Sequence, residues 1–155
     1  MFSKKNILII GAISIVAIQF IPIKRENPKI VAEPQWNTQK TRDLFFRACA
    51  DCHSNETKWP WYSKIAPISW LVNYDVKEGR EHFNVSMWGA QKKNKGDEAS
   101  EEFREKEMPL WFYKVVHPEA QFSDEERSEL LNGLIATFGE KKNEPADGIK
   151  IKFQH

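Results

Sequence analysis

Cys49-Ala50-Asp51-Cys52-His53 is the stretch on which the reading of this chain turns. Its two cysteines are the only two in the sequence. A structural disulfide stabilises mainly by closing a long loop, and a bridge between positions 49 and 52 would close almost none. The spacing leaves a redox dithiol, part of a metal site, or the attachment of a c-type haem. The histidine directly after the second cysteine favours attachment. Thiols at i and i+3 on a helix end can each add to one vinyl group of the porphyrin, and the adjacent imidazole is then presented to the iron from the same face. A thioredoxin-like dithiol wants a βαβ setting, and no strand alternation is visible here. A tetrahedral zinc site needs four ligands without a second cysteine pair to supply them; Cys49, Cys52 and His53 with His82 or His117 is the set on offer.

A six-coordinate haem needs a second axial ligand, and Met108, followed by Pro109, is the best candidate. A thioether is a soft ligand that favours reduced iron, so a His/Met pair raises the reduction potential. Proline beside it stiffens the loop that carries a weak ligand. The competing reading of Met108 is a gap-filling core residue. His82 and His117 are the other possible ligands, and Met87 beside Trp88 reads as packing. Trp59 and Trp61, in Trp59-Pro60-Trp61-Tyr62, are expected to wall the porphyrin, the alternative being ordinary aromatic core. Arg80 and Lys77 are weaker candidates for pairing with propionates.

Outward from the motif the chain reads as helices joined by irregular loops. Asn37 or Thr38 caps a helix through about Cys49, with Leu44, Phe45 and Ala48 on one face. Pro67 suits a first turn, after which Ile68, Leu71, Val72 and Val76 recur at helical spacing. Glu98 to Glu107 forms a charged helix around Phe103. Ser123-Asp124-Glu125-Glu126 is a capping box, and the helix behind it aligns Leu130, Leu131, Leu134, Ile135 and Phe138 before Gly139 ends it. The fold class is all-α: a small cytochrome c-like helical domain around one haem, preceded by an N-terminal hydrophobic helix. The expected divisions are an anchor or signal segment over 1–25, a Pro-containing tether over 26–35, the haem domain over 36–139, and a polar tail over 140–155.

At the N-terminus, Lys4 and Lys5 precede an apolar run from Ile7 to Phe20, extended by Ile21-Pro22-Ile23 and ended by Lys24 and Arg25. That run lies on the border between a signal h-region and a short membrane span. With no small-x-small cleavage site close behind it, an uncleaved single-span anchor is preferred to a cleaved signal. Basic residues flank both ends of the run, so the charges do not fix its orientation; the expected location is the cytoplasmic membrane with the haem domain in the periplasm. Residues 1–29 hold five of the Lys and Arg and one Glu, so the remainder is slightly acidic, with 18 basic and 21 acidic residues. No basic stripe with interleaved aromatics survives, which argues against nucleic acid as a partner. Six Trp and ten Phe in 155 residues are ample to enclose a flat apolar group as well as to pack a core.

Residues 48–63, from Ala48 through the haem motif to Ser63, resemble the haem-binding domain family of small, membrane-anchored bacterial proteins. So do Ile65-Ala66-Pro67-Ile68-Ser69-Trp70-Leu71, Asp75-Val76-Lys77-Glu78-Gly79-Arg80 and Glu107-Met108-Pro109-Leu110. The resemblance covers roughly residues 36–138. It implies one covalent haem c and its iron, a cytochrome c-like helical fold, and a location across the cytoplasmic membrane. Cys49, Cys52, His53 and Met108 match the pattern position by position. The resemblance implies no settled reaction. The function expected is that of a monohaem c-type cytochrome passing electrons to redox partner proteins of the periplasm or membrane, with no enzymatic bond chemistry. The alternatives are a haem-based sensor or small-ligand-binding protein, and an accessory redox subunit of an exported enzyme.

Overall fold

A computed structural model describes residues 3–141. Most of the expected polar tail, from residue 142 on, lies outside the described residues. Among the described residues seven α-helices follow one another: α1 (Lys4–Ile18), α2 (Gln39–Ala48), α3 (Ala50–His53), α4 (Ile68–His82), α5 (Ala99–Arg104), α6 (Trp111–Val116) and α7 (Asp124–Phe138). Three short 3-10 turns lie between them, and the β-structure among the described residues is one isolated bridge between Ala32 and Met87.

The ends of the longer helices follow from their sequences. The Thr38 side chain accepts the Thr41 backbone N–H at the start of α2. At α7 both halves of the capping box form: Ser123 accepts the Glu126 N–H, and the Glu126 carboxylate accepts the Ser123 N–H. Each such cap satisfies amides that have no partner within the helix. Gly139, at φ 84°, ends α7 in the left-handed region that an L side chain avoids. The charged helix around Phe103 is shorter than its sequence suggests, because Gly96–Glu98 forms a 3-10 turn and α5 stops at Arg104.

The core brings α2, α5 and α7 together around Leu44, Phe45, Phe83, Phe103, Leu130 and Leu134. Phe45, Phe83 and Phe138 form a triangle of edge-on rings with centroids 5.0–6.2 Å apart, a favoured geometry for aromatic pairs. α7 crosses α2 at Gly133, where an added Cβ would stand 2.2 Å from Thr41 Oγ1. The apolar series on α4 buries only its last member: Val76 is in the core, while Ile68 and Leu71 are half exposed. The same face of α4 also carries Gly79, which meets the Cys52 carbonyl of α3 and leaves no room for a larger side chain.

The single-span anchor is corrected by the structure. Among the described residues no helix is long and apolar enough to cross a membrane. α1 has 15 residues, which at 1.5 Å per residue is about 22 Å, against a hydrocarbon core of about 30 Å. The apolar run is longer than the helix because the chain leaves it at Gln19. The Gln19 amide exchanges two hydrogen bonds with the backbone of Ala66, at 3.1 and 3.0 Å. The location that rested on the anchor falls with it. The stretch read as a tether is strapped to the domain. Arg80 donates to the Glu26 carbonyl at 2.9 Å and to Asn27 Oδ1 at 3.0 Å, and the Val31 N–H bonds the Ser86 carbonyl at 2.9 Å.

Candidate functional site

The haem motif folds as a break between two helices. α2 ends at Ala48, Cys49 caps it, and α3 is a single turn that carries Cys52 and His53. A cavity of about 400 Å³ opens beside it, within the range of roughly 300–1,000 Å³ usual for small-molecule sites. Cys49, Cys52 and His53 line it on one side, and Met108 on the loop after α5 lines it as well. Four residues named from sequence are thus gathered in one cavity.

The tautomer of His53 is set by its surroundings. Its Nδ1 lies 3.1 Å from the Gly79 carbonyl oxygen and 3.0 Å from that of Phe83. Carbonyls only accept, so Nδ1 carries the proton and Nε2 keeps the lone pair. Burial holds the imidazole below its ordinary pKa, against the opposing pull of the two carbonyls, and so favours the neutral ring that can ligate a metal. A backbone bond to the far nitrogen is also how ligating histidines are usually oriented.

Burial, reinforced by the Cys52 sulfur, pushes the Cys49 thiol up to about 12. Burial, then Asp51 and Asp75, push Cys52 to about 12 as well. Both are therefore protonated thiols in apolar surroundings, the opposite of the electropositive setting that activates a redox dithiol. Among the described residues there is no group of three or more His, Cys, Asp or Glu that could hold a metal ion. Cys49, Cys52, His53 and His82, a set the sequence offers for zinc, line the cavity without forming such a group. A haem asks less of the protein, since the porphyrin supplies four nitrogens and the chain only the axial ligands.

The inner wall is aromatic and aliphatic, with Phe45, Phe83, Phe103, Phe112, Tyr113 and Leu134. The rim is charged. Glu98 accepts from His82 at 3.0 Å and from Lys95 and Lys141 at 3.3 Å. Burial works to raise the Glu98 carboxyl, but these donors outweigh it and hold the pKa low. Asp75, also on the wall, is raised by burial.

Trp59 and Trp61 do not line the cavity. Trp61 is 73% exposed, and the Trp59 indole N–H donates to Asn27 Oδ1 at 3.3 Å, on the strap side of the domain. They follow the motif in sequence, but the chain turns away from the cavity after Ser54. Arg80 likewise spends its guanidinium on the Ser54 carbonyl at 2.7 Å and on the strap.

Several residues that shape the site carry no sequence signal of their own. Gly79 lets α4 approach α3, and its carbonyl orients His53. Tyr113 lines the cavity and donates its hydroxyl to Asp51 Oδ2 at 2.8 Å. Burial, then the Asp51 carboxylate, raise the phenol far above its ordinary value, so it remains a donor. The Tyr113 ring stacks on His117 at 4.1 Å and 17°. His117 donates from Nδ1 to Glu119 at 2.8 Å and shares a 2.6 Å hydrogen bond with the Tyr62 hydroxyl. This explains His117 as a packing partner outside the cavity wall.

A family model described as a haem-binding domain matches residues 13–136, which is most of the chain. No curated protein matches significantly, and neither does any solved structure.

Proposed function

The chain belongs to the haem-binding domain family, and from that premise we propose that it is a monohaem c-type cytochrome that carries single electrons between protein partners. The observation that carries the proposal is the gathering of two thiols, one oriented imidazole and one thioether in a single aromatic cavity. This is the donor set a covalently held, six-coordinate haem requires.

Cys49 and Cys52 would hold the porphyrin edge as thioethers. His53, with Nδ1 bound to two carbonyls, would offer Nε2 to the iron. Met108 would supply a second ligand. Its backbone N–H bonds the Glu102 carbonyl at 3.2 Å, and Lys106 two residues earlier turns the chain at φ 67°, so the sulfur is carried by a pinned loop. A bound haem supplies a one-electron iron couple. The chain contributes the axial ligands and an apolar surround, which set the potential. No bond chemistry on a substrate is needed for this role.

The test is the spectrum of haem-loaded protein. The oxidised form should show the weak near-infrared band of a low-spin His/Met haem. Met108→Ala should abolish that band, admit carbon monoxide to the reduced iron, and lower the potential, because a ligand that prefers ferrous iron is lost. A wild-type protein that is high-spin and already binds carbon monoxide readily would replace the electron carrier with a ligand-binding haem protein.

A further inference from the structure

We propose that the hydrogen bond from Tyr113 to Asp51 is a clasp that keeps the Met108 loop closed over the cavity, making Tyr113 a positioning residue for the sixth iron ligand. The inference rests on the reading of Met108 as that ligand.

Met108 lies between two short helices. On its N-terminal side the loop is fixed by the Met108 N–H on Glu102 and by the turn at Lys106. On its C-terminal side the chain runs directly into α6, which is six residues long and buries none of them fully. A helix so short has little stability of its own and depends on tertiary ties. The polar tie from α6 to the haem motif is the Tyr113 hydroxyl on Asp51 Oδ2, at 2.8 Å.

Both ends of that tie are preset. The other Asp51 oxygen accepts the Lys58 N–H at 2.8 Å, and the Asp51 carbonyl accepts the Thr57 hydroxyl at 2.6 Å, so the acceptor is held before Tyr113 arrives. The Tyr113 ring is stacked on His117, itself held by Tyr62 and Glu119. Because Asp51 sits between Cys49 and Cys52, the bond joins the segment that would carry the sixth ligand to the segment that would hold the haem. A weak thioether ligand stays bound only while its loop stays ordered, and preset ends lower the entropy cost of that order.

The test uses ferric haem-loaded full-length protein and saturating cyanide, so that the binding rate is set by Met108 leaving the iron. Tyr113→Phe keeps the ring and its stacking and should raise that rate about tenfold or more, as expected for losing a hydrogen bond to a carboxylate. Asp51→Ala should raise it similarly, and the double variant should add little, as two ends of one bond behave in a double-mutant cycle. Asp51→Asn keeps one oxygen for the Lys58 N–H and turns an amide N–H to the Tyr113 oxygen, so the tie becomes a neutral hydrogen bond and the rate should fall between wild type and Asp51→Ala. If Tyr113→Phe fails to fold, the contrast between Asp51→Ala and Asp51→Asn in the same assay decides. A wild-type rate in Tyr113→Phe or in Asp51→Ala, or full additivity in the double variant, overturns the clasp. Met108→Ala separates the two claims. If it leaves the near-infrared band and the cyanide rate unchanged, the ligand reading fails and the clasp with it; if it changes both while Tyr113→Phe changes neither, the clasp alone fails.

Discussion

Gly79 lies so close to Cys52 that a Cβ on it would stand 2.6 Å from the Cys52 carbonyl oxygen and 3.0 Å from the Cys52 Cβ. The obstacle is largely backbone, which cannot swing aside as a flexible side chain can. The same glycine gives its carbonyl to His53 Nδ1, so the approach of α4 to α3 both closes the cavity and orients the imidazole. Gly79→Ala should therefore cost about 1–3 kcal/mol in chemical denaturation, the range for overpacking, and should reduce the haem retained per chain. Gly11→Ala, in the interior of α1 with nothing within 4 Å, is the control: it should not destabilise the protein, since Ala favours a helix over Gly, and should leave haem content unchanged. A fully stable Gly79→Ala protein with normal haem content would mean that α4 can retreat from α3 without loss.

The crossing of α2 and α7 makes a parallel prediction far from the haem motif. A Cβ at Gly133 would meet three Thr41 atoms between 2.2 and 2.8 Å away. Thr41 is buried and its side chain belongs to the Thr38 cap, so it has no free rotamer to adopt. Gly133→Ala should destabilise the apoprotein and the haem-loaded protein alike, by about 1–3 kcal/mol. Loss confined to the haem-loaded form would contradict this.

The surroundings of Glu126 predict an acid limit. Its bond to Arg47, at 2.6 and 2.7 Å, is the largest of the influences that hold the carboxyl down to about 2. A carboxyl depressed in the folded state stabilises above its unfolded value of about 4.3, and that contribution is lost as pH falls towards the folded value. Arg47→Ala should therefore differ most from wild type above about pH 5, with the gap narrowing between pH 5 and 2. It should not vanish, because Arg47 also lies over the Phe122 ring at 4.6 Å, a contact Glu126 does not control. Denaturation midpoints measured across this window check the prediction, and a gap independent of pH would sink it.

How far the sequence carries can be judged residue by residue. Caps and stripes are local, so α2 and α7, with their Thr38 and Ser123 caps, are legible from neighbouring residues alone. Cys49, Cys52 and His53, which line one cavity, can be picked out from sequence for the same reason, since they are close neighbours in the chain. Trp59 and Trp61 show the limit. Closeness in sequence to His53 says nothing about the direction the chain takes after Ser54, which is decided by Arg80 and the strap, remote from both. Gly79 and Tyr113 were illegible because each acts on a partner far along the chain: Gly79 on Cys52 and His53, Tyr113 on Asp51. The length of α1 was misjudged because hydropathy does not record that Gln19 is needed at Ala66.

Placing Trp61 outside the cavity has a spectroscopic consequence. Trp61→Ala removes a side chain that is 73% exposed and should leave the absorption spectrum of the haem-loaded protein unchanged. Phe103→Ala, which cuts into the cavity wall and the core, should cost about 3–5 kcal/mol and alter the spectrum. Equal spectral effects from the two variants would put the tryptophan back beside the haem.

Covalent attachment of haem through Cys49 and Cys52 can be read from the intact mass of the protein under denaturing conditions. Protein produced alongside a cytochrome c maturation system should weigh one polypeptide plus one haem. Its two cysteines should resist alkylation, and Cys49→Ala with Cys52→Ala should return the bare mass. A wild-type protein that shows the bare polypeptide mass, with both thiols open to alkylation, would contradict the account.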